Sequence, residues 1–479
     1  MIKQDKTKIV ATLGPATSTY DMIKKLIEAG ASMFRLNTSH GTEEGHLENI
    51  KHIRQAAKDL DVFVPILVDL QGPKIRVGSI PEPIEIKENQ TIKLKAGEFE
   101  KDSDIIPVDY TGIADDVKIG DKILLDDGKV GLEVLGINNG VISAKVLYGQ
   151  CIKPRKGINL PGSTASLDAV TERDIEFIKF AVEQDVDYIA QSFVREDKDI
   201  LLAKRYISEF GGNIPVIAKI EKPQAIENLD KIVKCADGIM VARGDLGIEM
   251  SPAEVPIVQK IIIDKTIQQR KVCIVATQML ESMIEEPIPT RAEASDIANA
   301  IMDGTDAVML SGETAMGKYP VEAVAMMREI ANNTEKCQFC LSNLSLDIND
   351  CYELSPQAIA NAAIKMAQDL HAKAILAFSH TGYTPKLLAK LRSSVPVIAI
   401  SDMERTCNRL NLYWGINAFH HNWDTVLDGE MLEKIDKFIF ANTTFKKDDR
   451  IIIIGSIPQL ITGRTNFIRV HRIGAPQGR

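Results

Sequence analysis

Eight short apolar, β-rich runs alternate with amphipathic helical stretches through the first two thirds of the chain, and no other feature constrains the fold as tightly. The runs are Lys8–Leu13, Met33–Leu36, Val64–Val68, Tyr188–Val194, Val216–Ala218, Gly238–Val241, Val272–Ala276 and Asp306–Leu310. Continuous apolar runs suit parallel strands covered on both faces. The stretches between them carry helix start signals: Thr171-Glu-Arg-Asp174 is an N-terminal capping pattern ahead of Ile175, Ile178 and Val182 at helical spacing. Alternation of this kind predicts an α/β fold built on a closed (β/α)8 TIM barrel, whose function gathers at the carboxyl ends of the strands.

Nearly every run opens onto polar or charged residues. In order these are Thr12, Gly14 and Pro15; Arg35, Asn37, Ser39 and His40; Asp69, Lys74 and Arg76; Ser192; Lys219 and Glu221; Arg243, Gly244 and Asp245; Thr277 and Gln278; Ser311 and Glu313. Any one could be an ordinary rim side chain, but a merely structural barrel has no need for all of them. The stretch Pro215–Glu249 is the densest, since two neighbouring strands there bring a lysine and two acids together. That set suits phosphoryl transfer: the acids hold a divalent ion and the lysine stabilises charge on the moving group. Glu221 and Asp245 form the natural Mg²⁺ pair, because Mg²⁺ takes one or two protein carboxylates and leaves its other positions to substrate and water. Arg35, Arg76 and Lys156 are candidate phosphate partners. The sequence contains no Walker A pattern and no kinase-like glycine loop, so phosphate must be handled by side chains on the barrel.

One connection breaks the rhythm. About a hundred residues between Asp69 and Thr171 carry hairpin signals such as Asp127-Gly128 and Asn139-Gly140, which predict an inserted β domain able to close over the rim and exclude water. After a polar, weakly periodic stretch from Ser342 to Ser355, runs at Ala374–Phe378, Val395–Ile400, Arg450–Gly455 and Asn466–Arg472 predict a C-terminal open α/β domain. The expected division is residues 1–72 and 168–340 for the barrel, 73–167 for the β lid and 341–479 for the C-terminal domain. The first C-terminal strand leads into Ser379, Thr381, Gly382, Tyr383 and Thr384, where backbone N–H groups ahead of a helix could hold a phosphate. His420, His421, Trp414 and Trp423 read as packing residues.

With 57 basic and 66 acidic residues the net charge is −9, which argues against a nucleic-acid or anionic-membrane partner. The absence of a signal-peptide core or a spanning apolar run points to the cytoplasm. Seven scattered cysteines suit reduced thiols, and the close pair Cys337 and Cys340 lacks the second pair a zinc site needs, so it reads as facing a helix seam.

The ordered motifs resemble the pyruvate kinase family over essentially the whole chain. They are Lys8-Ile-Val-Ala-Thr-Leu-Gly-Pro15, Arg35-Leu-Asn-Thr-Ser-His-Gly41, Asp69-Leu-Gln-Gly-Pro-Lys-Ile-Arg76, Gly157-Ile-Asn-Leu-Pro-Gly162, Ala218-Lys-Ile-Glu221, Met240-Val-Ala-Arg-Gly-Asp-Leu-Gly247, Ala276-Thr-Gln-Met-Leu-Glu-Ser-Met283, Pro289-Thr-Arg-Ala-Glu293 and Leu310-Ser-Gly-Glu-Thr-Ala315. The resemblance implies a barrel with an inserted β-barrel lid domain and a C-terminal effector domain, commonly in a homotetramer. It implies transfer of phosphate from phosphoenolpyruvate to ADP, giving pyruvate and ATP, with Mg²⁺ or its substitute Mn²⁺. Lys219 would stabilise the transferring group and Arg35 contact it, while Glu221 and Asp245 bind the metal. Gly244, Asp245 and Thr277 would hold the substrate carboxylate, Thr277 and Ser311 relay the proton, and Pro15, Asn37, His40, Arg76 and Lys156 line the nucleotide side. A barrel lyase or aldolase would share the metal acids but leaves Arg76 and Lys156 unexplained.

Two departures from the family pattern carry expectations. Members that need K⁺ have a glutamate where Lys74 stands, beside ligands corresponding to Asn37, Ser39, Asp69 and the Leu70 carbonyl. A fixed ammonium there disfavours a bound cation, so K⁺ should not be required. Members activated by fructose 1,6-bisphosphate often show Ser-Gly where Thr381-Gly382 stands. A phosphorylated allosteric effector is therefore expected, with a sugar monophosphate or AMP as credible as the bisphosphate.

Overall fold

A computed structural model describes residues 5–98, 104–162, 167–336, 354–421, 429–456 and 465–475. Parallel strands Lys8–Thr12, Met33–Asn37, Ile66–Asp69, Tyr188–Gln191, Val216–Ile220, Gly238–Ala242, Val272–Ala276 and Ala307–Leu310 close into a barrel, the first pairing with the last. Each anticipated run forms a strand, and the differences lie at the ends. Pro65 has no N–H for the ladder, so the third strand starts at Ile66, two residues later than the run. The fourth stops at Gln191, because Phe193 takes a positive φ of 54° and turns the chain. The fifth continues through Ile220, which places Lys219 inside the strand rather than in the following loop, and Arg243 opens a short helix, Arg243–Glu249.

Strand alternation explains the barrel mouth. Val10, Met33, Leu67, Ala190, Ile217 and Met309 belong to one buried apolar cluster inside the barrel. Two residues further along each chain, on the same face, come Thr12, Arg35, Asp69, Ser192, Lys219 and Ser311. The same period-two rule thus sets an apolar layer and, above it, a polar one. Helices cover the outside, and the expected capping box forms: Thr171 Oγ1 accepts from the Asp174 N–H while the Asp174 carboxylate accepts from the Thr171 N–H.

The insert contains a six-stranded sheet, antiparallel except for one parallel edge pair, over its own core of residues such as Leu94, Ile123, Leu132 and Val146. Asn139 and Gly140 turn one hairpin with φ of 49° and 75°, the left-handed pair that twist-matched turns require. The C-terminal sheet runs Ile416–His420, Val397–Ser401, Ala374–Phe378, Arg450–Gly455 and Phe467–Arg472, the last antiparallel. Its edge strand Ile416–His420 escaped the sequence reading. Only Ile416 is fully buried there, so no continuous apolar run announces the strand. Trp414 packs as expected, with the Arg392 guanidinium 4.6 Å and the Lys6 ammonium 5.0 Å from its ring. His421 meets Phe438 edge-on, while Trp423, Cys337 and Cys340 lie outside the described residues. Among the described residues, cysteines 151, 235, 273 and 407 are free thiols and no helix is long and apolar enough to cross a membrane.

The base of the barrel is fastened to the C-terminal helix Tyr383–Lys390 and the turn after it by buried charge. Lys390 pairs with Asp306, both side chains fully enclosed, and Asp306 also accepts from the Cys273 N–H at 2.8 Å. Arg392 donates to the carbonyl of Thr305 at 2.9 Å. Removing one member of such a pair leaves an uncompensated buried charge, which costs about 3–5 kcal/mol. Lys390→Met should therefore unfold at clearly lower urea concentration, and Asp306→Asn added to it should restore part of the loss. An unchanged midpoint in the single variant would contradict this role.

Candidate active site

Asp69 organises the polar layer. Its carboxylate is buried and receives Arg35 Nε at 2.6 Å on one oxygen and Lys219 Nζ at 3.3 Å on the other. Lys219 also pairs with Glu221 at 2.8 Å and donates to Ser192 Oγ at 2.7 Å. Ser192 Oγ in turn donates to the Leu70 carbonyl at 2.6 Å, and Arg35 reaches Thr12 Oγ1 at 3.1 Å. The second Glu221 oxygen accepts the Phe193 N–H at 2.7 Å, which accounts for the positive φ at Phe193: the turn aims that N–H inward.

Burial and charge compete at these groups. Burial alone would raise the Asp69 carboxyl, but the Lys219 and Arg35 charges hold it below the usual range. Burial alone would lower Lys219, but Asp69 and Glu221 more than offset this, so the ammonium is firmly protonated. Asp245 has the opposite fate. Burial, and after it the charge of Glu221, push its carboxyl up to about 6. It makes no hydrogen bond or ion pair among the described residues. A carboxylate without a partner, beside a second acid that disfavours its charge, is a donor set that fits a divalent cation. Beyond this pair, no cluster of three potential ligands occurs among the described residues.

The neighbouring strand ends complete the rim. Thr277 and Gln278 both hold positive φ, 71° and 54°, which for a β-branched threonine is a strained conformation. The Arg243 guanidinium maintains it by donating to the Thr277 carbonyl at 2.7 Å while paired with Asp296 at 2.5 Å. In this arrangement Thr277 Oγ1 accepts the Gly244 N–H at 2.8 Å. Glu313 accepts from the N–H groups of Ser311, at 2.7 Å, and Leu280, at 3.0 Å, fixing that corner. Ser311 Oγ is buried with no hydrogen-bond partner among the described residues. Gly244, Asp245, Thr277 and Gln278 border a cavity of about 770 Å³, to which the insert contributes Asp127.

Asn37 Oδ1 accepts the Ser39 N–H at 3.2 Å, and Pro15 and His40 are exposed. Burial, then the charges of Arg76, Lys74 and Arg35, lower the His40 pKa, which places a cationic group around it. The Lys74 stem crosses Gly157 so closely that a Cβ there would stand 3.0 Å from its Cε. Its charge reaches Asp245 as well as His40. Arg76 donates to the Arg155 carbonyl at 3.2 Å, and Lys156 pairs with Asp126 of the insert at 3.0 Å. The C-terminal loop stands apart from this rim: Ser379 Oγ accepts the Gly382 N–H, Thr384 bonds Thr465, and Gly382 takes a φ of 81°. Sequence reasoning gave Asp69 only a cation-site role and left Ser192 unassigned. The available signal was an acid directly closing the run Ile-Leu-Val, a position that alternation turns into the barrel.

Comparison with known proteins agrees with this geometry. Residues 4–324 match the family model for the pyruvate kinase barrel domain, and residues 357–471 match that for the pyruvate kinase alpha/beta domain. The chain is 41% identical to a pyruvate kinase of Corynebacterium glutamicum over 470 residues, covering 98% of each. It is 40% identical to a pyruvate kinase of Mycobacterium tuberculosis over 468 residues, again covering 98% of each. It is similar in structure to a crystallised pyruvate kinase from Cryptosporidium parvum, with a TM-score of 0.89, 34% identity and coverage of 98% of this chain and 96% of that one. Two family models in the right order, and full-length similarity well above what fold alone would give, place the chain in the pyruvate kinase family of phosphotransferases.

Proposed function

We propose that the chain transfers the phosphoryl group of phosphoenolpyruvate to ADP and protonates the enolpyruvate to pyruvate, acting in the cytoplasm as the last step of glycolysis. The observation that carries the reading is the polar layer in which Lys219 stands charged between Asp69 and Glu221, with the unpartnered Asp245 nearby. The bond from phosphorus to the enol oxygen breaks, a bond to the terminal oxygen of ADP forms, and the enolate carbon takes a proton. Lys219 Nζ stabilises charge on the migrating group, and Arg35, already fixed by Asp69, contacts it. Glu221 and Asp245 would hold Mg²⁺, with Mn²⁺ as a substitute, which when bound neutralises the phosphate oxygens. The backbone N–H groups of Gly244 and Asp245 with Thr277 hold the substrate carboxylate. Thr277 and Ser311, whose hydroxyl lacks a partner among the described residues, relay the proton.

Pro15, Asn37, His40, Arg76 and Lys156 line the nucleotide side. Lys156 must leave Asp126 to reach a phosphate; its own side chain is 44% exposed, while that of Asp126 is 10% exposed. Residues 1–72 and 168–340 form the catalytic unit, 73–167 the lid, and 341–479 an effector and assembly unit in a homotetramer. Ser379, Thr381, Gly382, Tyr383 and Thr384 would form its effector loop. For Lys219→Met, kcat with phosphoenolpyruvate and ADP should fall by about 10²–10³-fold with the circular dichroism spectrum retained. Turnover near the parent value would remove Lys219 from the mechanism.

The enzyme works without K⁺ in this reading. Both Asp69 oxygens are occupied by the chain's own cations, Asn37 Oδ1 is engaged by Ser39, and Lys74 adds a fixed charge near the same rim. A further monovalent cation would meet repulsion and few vacant donors among Asn37, Ser39, Asp69 and the Leu70 carbonyl. Activity should be the same in a buffer whose only monovalent cation is organic as in one containing K⁺, and Lys74→Glu should become K⁺-dependent. Loss of parent activity in the organic buffer, restored by K⁺, would refute the reading.

A further inference from the structure

The chain leaves the barrel for the insert at Gly72 and comes back by way of Asn159, and the two crossings are zipped into one ribbon. The Ile158 N–H donates to the Ile75 carbonyl at 2.8 Å, and the Val77 N–H to the Lys156 carbonyl at 2.8 Å. Arg76 and Lys156 ride on this ribbon, which bridges at Arg76 and Gly157. Two carboxylates of the barrel hold its base. On the outgoing side Asp174, which is buried, accepts the Gly72 N–H at 3.2 Å. On the return side Asn159 Nδ2 donates to Glu249 Oε1 at 3.1 Å.

Glu249 is the more informative of the two. Its side chain is 2% exposed, and the oxygen that meets Asn159 also pairs with Lys222 at 3.1 Å. A carboxylate this buried is costly to keep charged, and these two partners offset the cost. Both lead to the rim. Lys222 follows Glu221 directly, and Glu249 closes the helix Arg243–Glu249 one turn after Asp245. One carboxylate oxygen thus joins the insert to both acids of the proposed metal pair. The outgoing crossing reaches Glu221 by a second route: a Cβ at Gly72 would stand 2.7 Å from the Phe193 ring, and the Phe193 N–H donates to Glu221 at 2.7 Å. The Lys222 ammonium lies 5.8 Å from the same ring. Pro73, Asn159, Phe193, Lys222 and Glu249 line a void of only about 40 Å³ beside Asp245, so the seam between insert and barrel has little slack.

We infer that Glu249 is a positioning residue which, through Asn159 and Lys222, couples the setting of the insert to the two acids Glu221 and Asp245. A shift of the ribbon that carries Arg76 and Lys156 is passed through Asn159 to Glu249, and from there along the helix to Asp245 and through Lys222 to Glu221. Nucleotide on the ribbon and a divalent ion on the acids then favour the same setting of the insert, and each strengthens the binding of the other. Glu249 acts through other residues rather than on the reacting groups. The roles of nucleotide and ion rest on the reaction proposed above, whereas the latch between Asn159 and Glu249 does not.

The test uses the full chain and three variants. Asn159→Asp sets two carboxylates against each other, Asn159→Ala only removes the contact, and Asn159→Asp with Glu249→Gln restores a donor and an acceptor in the reverse direction. Amide exchange at Ile158 and Val77, measured without substrate, should quicken about ten-fold in Asn159→Asp, less in Asn159→Ala, and return towards the parent rate in the double variant. Mn²⁺ alone should slow this exchange in the parent but not in Asn159→Asp. With phosphoenolpyruvate and ADP, Asn159→Asp should raise the KM for ADP and the half-saturating Mg²⁺ concentration about ten-fold with kcat less affected, and the double variant should recover most of the KM. Exchange in Asn159→Asp and Asn159→Ala equal to the parent's would overturn the inference, as would Mn²⁺ slowing exchange equally in parent and Asn159→Asp, or a fall in kcat with the KM for ADP unchanged. Faster exchange in Asn159→Asp beside a parent that shows no turnover would support the latch and refute the reaction.

Discussion

The bifurcated grip of Asp69 on Arg35 and Lys219 is the interaction on which the rest of the site depends. Two cations side by side would repel one another and drift, yet the proposed reaction has both meet a doubly charged phosphoryl group. A single buried carboxylate holds one on each oxygen, at 2.6 and 3.3 Å, and so ties the third strand to the second beside it and, across the fourth, to the fifth. Glu221 then fixes Lys219 from the other side, at 2.8 Å. The resulting layer is pre-oriented and largely desolvated, so little reorganisation remains when substrate charge arrives. Asp245 supplies the complement: an acid with no partner among the described residues, in an environment that rewards the arrival of a cation.

Strain is spent close by. Thr277 is held with positive φ by Arg243, and that backbone shape brings its hydroxyl to the Gly244 N–H. Phe193 is likewise turned so that its N–H meets Glu221. Both outliers stand directly beyond barrel strands, where a regular continuation would point the same groups at solvent or at a helix. The barrel's rigidity makes such conformations tolerable, and the buried charge between Lys390 and Asp306 anchors the far end of the barrel to the C-terminal helix Tyr383–Lys390.

Much of this was legible in the sequence, for a definite reason. Parallel barrel strands are buried on both faces and appear as uninterrupted apolar runs, so the places where charge resumes mark the rim; Lys219, Glu221, Asp245 and Thr277 were visible in that way. Pairing was not visible. The partners of Asp69 lie 34 and 150 residues away in sequence, and only closure of the barrel decides that both reach one carboxylate. Reading Lys219 as a loop residue failed because a lysine interrupts an apolar run even when its stem continues the strand. The edge strand Ile416–His420 was missed because it is half exposed, and its residues lack the signature of the buried ones.

The most direct test of the central claim is to follow both products from phosphoenolpyruvate and ADP with Mg²⁺ present, measuring ATP and pyruvate in the same reaction. The account predicts that they appear one for one, and that neither accumulates when the divalent ion is chelated. Pyruvate formed without an equal amount of ATP would show that the rim hydrolyses or cleaves rather than transfers, and would contradict the account.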